Sequence, residues 1–80
     1  MSRAVTFTVS EFLRDELTER GWPTVVLAER MGVPFRVAVG LVYGRVPVSV
    51  ELAEQLETAT GVSAGTWLAL QAQQDEATDG

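Results

Sequence analysis

Six arginines are the only cationic side chains of this 80-residue chain, and three of them, Arg30, Arg36 and Arg45, fall within residues 30–50, a window that holds no Asp or Glu. A guanidinium presents a rigid fork of N–H donors that fits a phosphate or the O6/N7 edge of guanine. The rest of the chain sets Arg3, Arg14 and Arg20 against all eleven acids, so a window of +3 lies in a background of −8. The chemistry this suggests is recognition of an anion, DNA above all, by one patch. A net charge of −5 argues against gripping nucleic acid over the whole surface. The plainer reading, an ordinary scatter of solvated arginines, stands beside it.

Other chemistry is poorly provided for. Without cysteine or histidine the chain offers no thiolate, no disulfide, and neither the commonest metal ligand nor the commonest general base. Carboxylates alone suggest no reaction, so the expectation is a protein that is not an enzyme and takes no metal or cofactor. The N-terminus lacks the order of a secretory signal, and the longest uncharged apolar stretch, Val37 to Gly44, is far too short for a bilayer. A cytoplasmic location away from membranes is expected. Eighty residues suit one small domain that buries only about 60–65% of its unfolded surface. A homodimer would add burial.

The elements that must position the arginines are read from capping signals and spacing. Residues 8–20 open with Thr8 and Glu11 as a capping box, with Phe7 placed to staple onto Phe12. Phe12, Leu13 and Leu17 form the apolar stripe, Arg20 suits the negative helix end, and Gly21 stops the run. Residues 23–31 suit a second helix with Pro23 in its first turn, Leu27, Ala28 and Met31 inward, and Gly32 closing it. After a turn at Gly32 to Phe35 comes a further short segment, so the outline is helix, glycine turn, helix. Residues 50–60 form a helix capped by Ser49, with Leu52, Ala53, Leu56 and Ala59 as its stripe and Gly61 as its end. Ser63 caps a fifth helix carrying Trp67, Leu68 and Leu70, with Val62 able to staple onto Trp67; the helix is expected to fray after Gln74.

The segment from Pro34 to Tyr43 is contested. Val37, Val39 and Val42 are β-branched and Gly40 costs a helix interior about 1 kcal/mol relative to alanine, which favours a strand. An isolated hairpin among four helices is marginal, however, and a helix places Ala38, Leu41 and Val42 on one inward stripe. The expectation is therefore an all-α, five-helix bundle. Its organisation is an N-terminal arm at 1–7, the folded domain at 8–74 and a disordered acidic tail at 75–80.

Four stretches, EFLRDELTERGW at 11–22, LAERMGV at 27–33, YGRVPVSVELAEQLETATGVS at 43–63 and WLALQ at 67–71, carry a resemblance. Over residues 8–74 the chain resembles the Cro/repressor-type helix-turn-helix domain, and more closely the plasmid-maintenance antitoxins of the HigA type. The resemblance implies five helices with the third in the major groove and the second across the backbone, often in a dimer on a palindromic operator. It also implies a transcriptional repressor of its own operon that neutralises a partner toxin.

The chain departs from that family on the surface that would meet DNA. Pro23 and Pro34 stand where Ser or Thr usually begins the second and third helices, and proline neither caps with a side chain nor offers an N–H. The outward positions of the third helix are expected to be Phe35, Arg36, Val39, Gly40 and Tyr43. Of these Arg36 and Tyr43 can hydrogen-bond a base edge, while Arg45 lies just beyond for phosphate. With Thr24 at the start of the second helix, these residues make up the candidate DNA-binding set. Plainer roles are a solvated Arg36 and a Tyr43 that shields the core. Trp67 and Gln71 are candidates for a dimer or partner contact, against core packing for Trp67 and simple exposure for Gln71. An alternative function uses Phe35, Val39 and Tyr43 as an apolar strip for a protein, a toxin or another regulator, in place of DNA.

Overall fold

A computed structural model of the chain describes residues 8–79, with side chains for 8–76. Five helices follow in order: α1 Val9–Arg20, α2 Thr24–Met31, α3 Phe35–Val42, α4 Val50–Thr60 and α5 Ala64–Asp79. The class is all-α, with no strand among the described residues. The N-terminal arm, Arg3 and the Phe7 staple lie outside the described residues.

Local chemistry sets most helix ends. Thr8 Oγ1 accepts the Glu11 N–H at 3.2 Å while the Thr8 N–H donates to Glu11 Oε1 at 3.1 Å, which closes the capping box of α1. Ser49 Oγ accepts the Leu52 N–H at the start of α4, and Ser63 Oγ accepts that of Thr66 at the start of α5. Gly21, at φ +69°, ends α1 in the left-handed region, where a Cβ would be strained. Pro23 and Pro34 occupy the N-cap positions of α2 and α3, just outside each helix, and make no side-chain cap.

The contested segment is helical because its apolar stripe has somewhere to go. Ala38, Leu41 and Val42 are buried with Leu13 and Leu17 of α1 and Leu27, Ala28 and Met31 of α2 in one core. That burial outweighs a propensity deficit of about 1 kcal/mol at Gly40. Ala53, Leu56 and Trp67 complete the core. Trp67 is fully buried, its ring edge-to-face with Phe12 at 5.1 Å and its indole N–H donating to the Val62 carbonyl at 3.1 Å.

Helix α5 is longer than expected. Where the sequence reading ends it at Gln74 and leaves 75–80 disordered, the helix continues to Asp79. The Gln71 side-chain amide donates to Asp75 Oδ1 at 2.8 Å across one helical turn, and Gln and Glu are good helix formers. The Val9 N–H, free at the first turn of α1, donates to Gln74 Oε1 at 2.9 Å and so ties this end of α5 to α1. Among the described residues no helix is long and apolar enough to cross a membrane.

Candidate nucleic-acid interface

Helix α3 turns one side to the core and the other to solvent. Phe35, Val39 and Tyr43 recur every four residues, which stacks them along one face. Phe35 is 54% exposed, Tyr43 is 64% exposed, and Val39 is half-buried. Arg36 and Arg45 are exposed, while Thr24 of α2 is half-buried. The structure thus brings Phe35, Arg36, Val39 and Arg45 to one open groove of about 440 Å³, with Gly40 and Val46 also in its lining. Tyr43 lies at the C-terminal end of the same helix, outside the groove lining.

Gly40 does not face outward as expected. It is buried, because the loop after α3 folds back over it: its carbonyl accepts the N–H groups of Arg45 at 2.7 Å and Val46 at 3.2 Å. A Cβ on residue 40 would meet Val46 Cγ2 at 2.3 Å and Val46 Cβ at 3.2 Å. Glycine is required for this close approach, which makes Val46 part of the groove and sets Arg45 beside it. Helical spacing identified the right side of α3 but could not show a loop covering part of it. The signal available was the glycine itself, since an interior helical glycine often marks a neighbour that comes close.

Trp67 and Gln71 both serve the interior of the molecule. Trp67 is fully buried, so it has no area to give a partner. Gln71 is half-buried and engaged inside the molecule: its Oε1 accepts the Val48 N–H at 2.8 Å, in addition to the bond its amide makes to Asp75. It anchors the loop between α3 and α4 to α5.

The remaining arginines are distributed differently. Arg30 lies over the Trp22 ring with its guanidinium 4.7 Å from the centroid, and Arg20 approaches the same ring at 5.3 Å. Arg20 also donates to the Thr60 carbonyl at the end of α4, at 2.7 Å, and pairs with Glu16 at 3.2 Å. Arg14 donates to the Val42 carbonyl at the end of α3, at 2.6 Å. Both interactions put positive charge at the negative end of a helix. Arg36 and Arg45 are therefore the exposed cations gathered at the groove. Compared with known proteins, the chain matches no family model and no curated protein sequence.

Proposed function

We propose that the protein is a small DNA-binding transcriptional regulator in which α2, the turn at 32–34 and α3 act as a helix-turn-helix and α3 enters the major groove. The observation that carries this reading is the grouping of Arg36 and Arg45 on an exposed groove of α3, within a window of the sequence free of acids, in a protein otherwise negative. Arg36 occupies the second position of α3, and the N-terminal residues of a recognition helix are the ones that reach base edges. The resemblance adds the expectation of an antitoxin-like repressor, often dimeric, acting on its own operon and against a partner toxin, and the sequence adds that of a cytoplasmic location.

The test is electrophoretic mobility with the duplex upstream of the gene, set against a random duplex of equal length at moderate salt. A shift of the upstream duplex alone is expected; equal or absent binding of both would overturn the reading. A second reading has its own support in the exposure of Phe35 and Tyr43. An apolar strip of this kind also fits a protein partner, with DNA binding given up. Val39→Ser separates the two, because loss of operator binding with an intact fold points to DNA, whereas loss of a protein complex alone points to the partner.

A further inference from the structure

We propose that the groove on α3 reads thymine through its C5-methyl group, so that the operator is recognised as thymines flanked by arginine contacts. The inference rests on the DNA-binding reading and goes beyond it by naming the base. Between Arg36 and Arg45 the groove presents Phe35, Val39, Gly40 and Val46, none of which has a side-chain hydrogen-bonding group. The backbone of the loop adds no donor, since the N–H groups of Arg45 and Val46 are both spent on the Gly40 carbonyl. Adenine is usually read by Asn or Gln. The chain has no Asn, and its glutamines, Gln55, Gln71, Gln73 and Gln74, belong to α4 and α5. Cytosine N4 is usually read by Glu or Asp, which residues 30–50 lack, and no lining residue of the groove carries a side-chain acceptor, Tyr43 lying outside it. The thymine methyl is the one apolar feature that a base pair displays in the major groove. Two exposed guanidinium groups match the polyanion around it, and they commit the apolar floor to DNA in preference to an uncharged surface.

The test uses the full chain and the duplex upstream of its gene, prepared with thymine or with uracil throughout, which pairs identically but lacks the methyl. Burying one methyl is worth about a fourfold change in affinity. With one contacted methyl in each half of a two-fold site, the uracil duplex should bind about tenfold or more weakly, while a random duplex shows no difference. Val39→Ser, checked for folding by circular dichroism, should bind the two upstream duplexes alike. Equal affinity of the unaltered protein for both upstream duplexes, alongside clear preference over the random duplex, would overturn this inference and leave the DNA-binding reading standing. Absence of any upstream preference would overturn both. Retention of the methyl preference in Val39→Ser, or loss only of a complex with protein in that variant, would remove the groove as the reader.

Discussion

Gly40 and Arg36 belong to the same helix face but have opposite kinds of consequence. At Gly40 the absence of a side chain is the functional feature, because Val46 occupies the space a Cβ would need. Gly40→Ala would gain about 1 kcal/mol of helix propensity, yet overpacking against a β-branched neighbour with few rotamers costs about 1–3 kcal/mol. The expected outcome is a net loss of about 1 kcal/mol in urea unfolding together with weaker operator binding, as Arg45 moves with the displaced loop. Unchanged or raised stability would mean that Val46 moves aside freely. Arg36, by contrast, is exposed. Arg36→Ala should leave stability within about 0.5 kcal/mol but weaken operator binding by about 1–3 kcal/mol if its fork meets a guanine. A fluorescence-anisotropy titration that gives the same operator affinity for both proteins would remove Arg36 from the interface.

The elements differ in how far their own residues announce them. Helices α1, α4 and α5 begin at Thr8, Ser49 and Ser63, whose side chains accept the bonds that their sequence neighbourhood promised. Helix α3 has no such signal: its valines and Gly40 oppose it, and it is fixed by burial of Ala38, Leu41 and Val42 against partners distant in sequence. The exposed character of Phe35, Arg36 and Tyr43 was legible from spacing, but the burial of Gly40 depended on a returning loop that covers it. Long-range polar ties such as Gln74 to Val9 and Gln71 to Val48 leave no periodic trace either. One such tie holds α3 itself. Arg14 bonds the last residue of α3 through a charge-assisted contact at its negative end. Arg14→Ala should cost about 1–2 kcal/mol and lower the melting temperature by several degrees in a domain of this size. Arg14→Lys, which can still place a cation there, should recover much of the loss. Equal melting temperatures for all three proteins would show that water serves the Val42 carbonyl equally well.

At the scale of the whole molecule, the proposed function requires an acidic protein to hold a polyanion. All eleven acids lie outside residues 30–50, so on the DNA-binding reading the charge distribution favours approach by the face that carries Arg36 and Arg45 over tight binding. One such face makes few contacts, and a second copy related by two-fold symmetry doubles them while spacing the two α3 helices about 34 Å apart for successive major grooves. A homodimer is therefore expected in sedimentation at micromolar concentration or, at the least, on the operator; a monomer in both states would exclude this geometry. A dimer of this kind would also fix the salt dependence. Among the described residues of the acid-free window, Arg30 is stacked on Trp22, so Arg36 and Arg45 of each copy are the cations expected to neutralise phosphates. At about 0.9 counterions per phosphate, four arginines give a slope of log affinity against log salt of about −3 to −4. If Arg36 is held by a base edge and not by phosphate, the slope falls toward −2. A slope steeper than about −6 would require cations away from α3, and the protein would then be holding DNA by a different surface.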